Sequence, residues 1–332
     1  MIEMAKVNFK IDFVVTWVDG SDPQWQAKKQ QYANLTGSLN GENRYRDMGI
    51  FEYWFKNVFE FAPWVNNVFL ITDQQVPAFI HKYPRVKVID HRDFIPQSCL
   101  PTFNSNTIEL NLWRIKELAE HFVLFNDDMF ITQPLEPTFF FNPTGKPCLP
   151  VILNIIQPSD EYSYIPFNNM ELLNRRFNKK TFIKQHWQKI FSWKYGKRNL
   201  QSLLALPYPS ITGFYEGHTA FPHLKSTFET LATKIFPMSF NLQDHRRFRT
   251  RNDISHWLVK DYNILAGNFV VQTDKATRLY HLRHQEDLDQ IKTTISNYKI
   301  ACINDDVADS QEWSAVKPAL VKLFQGKYGE LS

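Results

Sequence analysis

The sequence predicts an α/β fold, a Rossmann-like and largely parallel sheet flanked by helices, with a basic helical insertion. Three observations lead there. Short apolar runs alternate with helically spaced apolar residues through the first 150 positions, the pattern of βα units. Each run ends in acid, as in "VVTWVDGSD", "FLITD", "VKVID" and "VLFNDD". Residues 155–212 then change character, with Lys and Arg interleaved with aromatics.

The elements follow in order. "IDFVVTW" (Ile11 to Trp17) reads as a buried strand. "MGIFEYWFKNVFEFA" places Phe51, Trp54, Phe55, Val58 and Phe59 at helical spacing. "NVFLIT" (Asn67 to Thr72) and "VKVID" (Val86 to Asp90) are the second and third strands. "NTIELNLWRIKELAE" predicts a helix over 106–120, and "HFVLFN" a fourth strand. The whole chain, 1–332, is expected to form a single domain, with 155–212 as a helical insertion or lid within it.

Composition narrows the function. The 332 residues carry a net charge of +4, which permits an anionic ligand or a membrane surface without calling for nucleic acid. No run of about 18 apolar residues predicts a membrane span. "MIEMAKVNFK" has no apolar stretch with a cleavage site, so no secretory signal is expected. Three distant cysteines, Cys99, Cys148 and Cys302, argue against a disulfide framework or a structural zinc site, and fit a reducing cytoplasm. Walker A, GxGxxG and GxSxG patterns are missing, which disfavours P-loop ATPases, the usual NAD enzymes and α/β-hydrolases.

The acidic strand ends have two readings. Asp and Asn favour turns; equally, ligands of open parallel sheets bind beyond the carboxyl ends of strands, where carboxylates suit a divalent cation or sugar hydroxyls. Asp19 and Asp22 sit in turn chemistry ("DGSDP") and are also placed to face a ligand. Asp12, a carboxylate inside an apolar strand, needs a partner. Asp47 occupies an N-cap position, and Asn106 with Glu109 has capping-box spacing. Arg114 lies about 140° around a helix from Glu109 and so does not pair with it. Arg44 and Arg46 are candidates for a phosphate or a carboxylate. Asp127 and Asp128 invite Mg²⁺, which takes carboxylates together with substrate phosphates. His218 and His223 fall in "GHTAFPHLK", a loop suited to a general acid or base. "DHRRFRTRND" concentrates Arg246, Arg247, Arg249 and Arg251, a phosphate-binding chemistry. "ACINDD" repeats the apolar-then-acid pattern at Asn304, Asp305 and Asp306. The basic stretch is either a solvated helical face or a contact for an anionic polymer, lipid headgroup or nucleotide.

These blocks, in this order, resemble the Stealth family of sugar-phosphate transferases, which includes bacterial capsule and exopolysaccharide enzymes. The matching blocks are "IDFVVTWVDGSDP"; "RYRDMGIFEYWFKNVFEFAPWVNNVFLITDQQVP" through "VIDHRDFIP" and "LPTFNSNTIELNLWRI" to "FVLFNDDMF"; "GHTAFPHLK" with "FRTRNDI"; and "CINDD". The resemblance implies transfer of a hexose-1-phosphate from a UDP-hexose or UDP-N-acetylhexosamine to a hydroxyl of a polysaccharide or lipid-linked glycan, with release of UMP. It carries functional weight onto Asp12, Trp17, Asp19, Arg44, Asp47, His91, Asp93, Asn104, Glu109, Arg114, Asn126, Asp127, Asp128, His218, Arg249, Asp253, Asn304 and Asp305. On this reading His218 is the base and Arg249, with Arg44, neutralises transition-state charge. Asp127, Asp128 and Asp305 hold Mg²⁺ (or Mn²⁺). Asp12 is grouped with the catalytic residues, and Asp22 with the substrate-binding ones. A cytoplasmic enzyme, touching the inner face of the membrane peripherally, is expected. A metal-dependent glycosyltransferase releasing UDP is the alternative.

Overall fold

The computed structural model describes residues 7–32 and 45–331. Its centre is a five-stranded sheet in the order β3-β2-β1-β4-β7. β1 (Ile11–Thr16), β2 (Val68–Thr72), β3 (Val86–Asp90) and β4 (His121–Asn126) run parallel, and β7 (Phe221–Leu224) lies antiparallel to β4. The α/β expectation of a largely parallel sheet flanked by helices is met.

Both faces of this sheet are covered, which is why its strands read as unbroken apolar runs. Side chains alternate between two cores. Phe13 and Val15 of β1, Leu70 of β2 and Phe125 of β4 face one; Val14, Phe69, Ile71 and Leu124 face the other. On the first side, α2 (Phe51–Phe61) buries Phe51, Trp54, Phe55 and Val58 at the expected helical spacing. α11 (Ser310–Tyr328) adds Val316, Leu320 and Phe324. Truncating a fully buried ring such as Phe13, which sits 4.9 Å from Phe125, costs about 3–5 kcal/mol.

A second sheet, in the order β5-β10-β9, begins where the first ends. β4 turns at Asp127–Asp128 directly into β5 (Met129–Ile131). β10 (Ile300–Asp305) pairs antiparallel with β5 and parallel with β9 (Thr277–Leu282). This places the acidic ends of β4 and β10 side by side, with Ile303 N–H donating to the Asp128 carbonyl at 2.9 Å. A minor pair joins β6 (Cys148–Leu149) to β8 (Val270–Val271).

The remaining helices are α1 (Pro23–Tyr32), α3 (Ser105–Leu110), α4 (Tyr164–Asn174), α5 (Lys179–Ile190), α6 (Arg198–Ala205), α7 (Lys225–Thr230), α8 (Pro237–Asp244), α9 (Trp257–Leu265) and α10 (Asp287–Thr294). Three of them, α4 to α6, occupy the basic stretch.

The helix expected over 106–120 is a correction. α3 stops at Leu110 because Asn111 is buried, its amide donating to the Thr107 carbonyl and to Asp244 Oδ1 at 2.7 Å. Its cap is Asn104, whose side chain accepts from Asn106 N–H. Glu109 is therefore free of the capping role its spacing implied.

Candidate active site

A cavity of about 210 Å³ opens along the carboxyl edge of the parallel strands. Trp17 after β1, Asp73 after β2, His91 after β3 and Asn126–Asp128 after β4 all line it. Asn304 and Asp305 of β10 close one side, and Ser105, Asn106 and Glu109 of α3 another. His218 comes from the loop that precedes β7, and Arg249 and His256 from the loop between α8 and α9.

The Asp127–Asp128 turn is the most electrically stressed part of the wall. Burial, and then the negative charge of Asp128, push the Asp127 carboxyl up to about 8. Asp128 Oδ1 is buried with no hydrogen-bond partner. Its Oδ2 accepts from the Cys302 thiol at 3.2 Å and lies 3.9 Å from His218 Nε2. Asp128, His218 and Cys302 form a group that could hold a metal ion, their ligand atoms within 4.8 Å of one another. Two crowded carboxylates and an orphaned oxygen fit a divalent cation. The donor chemistry favours a hard, oxygen-seeking ion. Burial and the charge of Asp128 hold the Cys302 thiol well above its ordinary range, so a thiolate ligand is disfavoured.

Asp305 does not join this group. Arg46 grips it, with Nη2 donating to Oδ1 and Nε facing Oδ2, both at 2.9 Å. In this structure Asp305, expected as a metal ligand, is the counter-ion of an arginine. Arg46 is thus a carboxylate partner, one of the two readings its position offered. Arg44 lies outside the described residues.

In the same cavity wall, Arg249 Nη2 donates to Ser105 Oγ at 2.6 Å. Glu109 is buried behind it. Burial pushes its carboxyl up to about 7, against the pull of Arg249 and Ser105. His256 Nε2 stands 4.0 Å from Glu109 Oε2, and its Nδ1 is 3.1 Å from His223 Nε2. Burial first, then cationic neighbours, depress both imidazoles, His223 to about 3 and His256 well below its ordinary value. Both rings are neutral, so one nitrogen of the close pair donates and the other accepts. His223 is a strut behind His256; of the two histidines in "GHTAFPHLK", His218 is the one that lines the cavity.

Two buried networks set the loops. Asp253 Oδ2 accepts from the amides of Asn104 at 2.8 Å and Asn106 at 3.1 Å, and Oδ1 from Thr250 Oγ1 at 2.9 Å. Asn104 and Asp253 thereby fasten α3 to the loop that carries Arg249, without lining the cavity themselves. The His218 loop is held by Lys260, fully buried between Glu216 and Asp261, with Asp261 Oδ1 at 3.0 Å. One cation serves two carboxylates, and burial together with Asp261 pushes Glu216 upward. A proton shared within that pair lowers its repulsion.

Several expected site residues stand elsewhere. Asp12 is a correction with a clear cause: it lies at the amino end of β1, away from the cavity. Its Oδ1 accepts from Asn66 Nδ2 at 2.7 Å and Asn67 N–H at 3.0 Å, and its Oδ2 from Ala119 N–H at 2.8 Å. It clamps the loops that enter β2 and β4. Asp19 Oδ1 binds Ser21, Asp22 caps Gln24 and accepts from Gln75, and Asp93 completes a capping box with Asp90. All three carboxylates accept hydrogen bonds within local turns. Asp47 accepts from Gly49 N–H and pairs with Lys317 at 3.2 Å; the cap position of α2 is Ile50. Arg114 donates to Asn111 Oδ1 at 2.7 Å and lies 3.7 Å from Asp244. Sequence reasoning missed His256, Asp73 and Ser105 as wall residues. Asp73 carried the acidic-strand-end signal; "ISHW" carries no spacing that marks a site histidine.

Comparison with known proteins decides the family. Residues 9–37 match Stealth protein CR1, conserved region 1, and residues 44–149 match Stealth protein CR2, conserved region 2. The chain is 41% identical over 328 residues to the capsular polysaccharide phosphotransferase WcwK of Streptococcus pneumoniae, covering 97% of this chain and 98% of that one. The chain belongs to the Stealth family. This Stealth protein is 37% identical over 326 residues to the exopolysaccharide phosphotransferase cps2G of Lactiplantibacillus plantarum, covering 98% and 96% of the two chains. It is an enzyme of the sugar-phosphate transferase class, as its motifs imply. Its superposition on the galactosyltransferase LgtC, in complex with donor and acceptor sugar analogs, has a TM-score of 0.42 at 10% identity, covering 97% of this chain and 98% of that one.

Proposed function

We propose that this Stealth enzyme transfers a hexose-1-phosphate from a UDP-hexose or UDP-N-acetylhexosamine to a hydroxyl of a polysaccharide or lipid-linked glycan, releasing UMP, in the cytoplasmic assembly of a capsular or exopolysaccharide. The observation that carries this reading is the single cavity in which the Asp127–Asp128 turn, Arg249 and His218 face the same space. Phosphoryl transfer asks for charge stabilisation and positioning, with little covalent chemistry from the protein.

In this mechanism the acceptor oxygen attacks the phosphorus that bears the sugar. The new O–P bond forms as the bond to the UMP oxygen breaks, and His218 Nε2 takes the hydroxyl proton. Arg249, always charged, neutralises the phosphoryl oxygens. Asp127 and Asp128 would hold a divalent cation, Mg²⁺ or Mn²⁺, which offsets charge on the diphosphate. Trp17, stacked parallel on Phe51 at 5.5 Å, offers a flat apolar wall to the donor. Glu109 and His256 set the orientation of the Arg249 side. Residues 155–212 act as an insertion within one catalytic domain, and we assign to it peripheral contact with a membrane. Among the described residues, no helix is long and apolar enough to cross one.

The test is the nucleotide product. Purified enzyme incubated with UDP-sugars and an acceptor glycan should release UMP and form a phosphodiester visible by ³¹P NMR. Release of UDP, with a glycosidic product, would establish the glycosyltransferase reading instead.

A further inference from the structure

Helix α6 is amphipathic in the wrong sense for a helix packed on a core. Its buried residues are Ser202 and Ala205. Ser202 Oγ accepts from Leu153 N–H at 2.9 Å, and Gln201 donates to Asn154 Oδ1. Its leucines face outward: Leu200 is 61% exposed, Leu203 51% and Leu204 60%. Residues spaced i, i+3 and i+4 share one helix face, so the three form one patch. Trp193, in the turn just before α6, is 86% exposed. That turn is fastened to the helix by Asn199 Nδ2, which donates to the Ser192 carbonyl at 3.0 Å.

The outward face is held rigidly. Lys179 is buried and its ammonium gathers the carbonyls at the carboxyl end of α6, Ala205 and Tyr208 at 2.6 Å each. The polar side of the helix is bonded to the protein and the apolar side is left to the surroundings. A solvated helix has the opposite arrangement.

Charge identifies the surroundings. Between Leu172 and Ile211 there are nine lysines and arginines and no Asp or Glu. Arg176, Lys180, Lys184 and Lys197 are exposed. We infer that α6 and the Trp193 turn dock on the surface of an anionic lipid bilayer, leucines and tryptophan entering the headgroup–acyl boundary while the surrounding cations meet lipid phosphates. Interfacial helices have this composition, tryptophan settles at that depth, and each nearby cation adds attraction to an anionic leaflet. A second copy of the chain is a poorer occupant, because two such faces would bring like charges together. A nucleic acid gives aliphatic leucines nothing to contact.

The experiment is co-sedimentation of the full chain with vesicles of phosphatidylcholine, with or without phosphatidylglycerol, at low and raised salt. The chain should bind the anionic vesicles and prefer them over the neutral ones. Leu203→Gln with Leu204→Gln should weaken that binding by about tenfold or more. Lys184→Gln with Lys197→Gln should weaken it and flatten its salt dependence. Thermal melting of both variants should match the parent, which separates a docking effect from misfolding. Binding unaffected by the leucine changes, or indifferent to phosphatidylglycerol, would overturn the proposal. So would a concentration-dependent dimer, seen by analytical ultracentrifugation, that the leucine changes abolish. None of these readouts depends on the nucleotide product, so docking and phosphotransfer succeed or fail separately.

Discussion

Replacing Asp12 by Asn distinguishes a clamp from a catalyst. The carboxylate accepts three hydrogen bonds at zero exposure, two on Oδ1 and one on Oδ2. An Asn side chain can keep the first two, but its NH₂ then faces Ala119 N–H, donor against donor. A hydrogen bond to a charged group contributes about 1.5–3 kcal/mol, and a buried N–H left without an acceptor costs about 1–3 kcal/mol. Together these set a destabilisation of about 3–5 kcal/mol, or a fall of about 4–7 °C in Tm for a chain of this length. Urea denaturation and calorimetry measure it. Below the transition, kcat/KM for UMP release should stay within about twofold of the parent. An Asp12→Asn enzyme that melts normally yet loses about a hundredfold in kcat would refute the clamp and return Asp12 to the chemistry.

Other outcomes follow from the same geometry. His218→Ala should lower kcat by about 10²–10⁴-fold; near-normal turnover would remove it as the base. EDTA should abolish activity and Mg²⁺ restore it, and Asp128→Asn should raise the Mg²⁺ concentration needed for half-maximal rate; indifference to EDTA would exclude a metal at this turn. Glu109, raised by burial from its ordinary value of 4.5 to about 7, stays protonated in the folded state across that interval while the unfolded chain has lost the proton. Its contribution to stability is therefore present at low pH and is lost as pH rises to about 7, then levels off. Glu109→Gln should flatten that slope in urea titrations at acid and alkaline pH. Lys260→Met leaves Glu216 and Asp261 facing each other in the interior and should cost about 3–5 kcal/mol; adding Asp261→Asn should recover part of it, a coupling that a double-mutant cycle reads.

The parts of the fold legible in the sequence were those where local and tertiary demands agree. β1, β2 and β4 lie between two apolar layers, so their runs are unbroken and their ends abrupt. α2 packs one stripe against the core and its spacing shows it. The helix over 106–120 was misread because the buried Asn111 amide makes tertiary bonds that no local pattern announces. The acidic strand ends gave a mixed signal for a physical reason. Asp and Asn both terminate strands by capping turns and hold ligands at the same edge. Asp19 and Asp22 bond within their own turn; Asp73, Asp127 and Asp128 line the cavity. The second sheet was not foreseen, since β5 is three residues long and meets β10 far along the chain. His256 was invisible because its place beside Glu109 depends on α9 packing near α3, a contact with no sequence periodicity.

The position of β10 has a consequence in time. Residues 304 and 305 complete a wall whose other side, residues 126–128, is translated far earlier. A chain still emerging from the ribosome can lay β1 to β4 side by side and bury both faces of that sheet. Its cavity stays unfinished until a strand near the carboxyl terminus slides between β5 and β9. Synthesis itself thus acts as a delay, because a half-made chain lacks one wall of this cavity until β10 is in place.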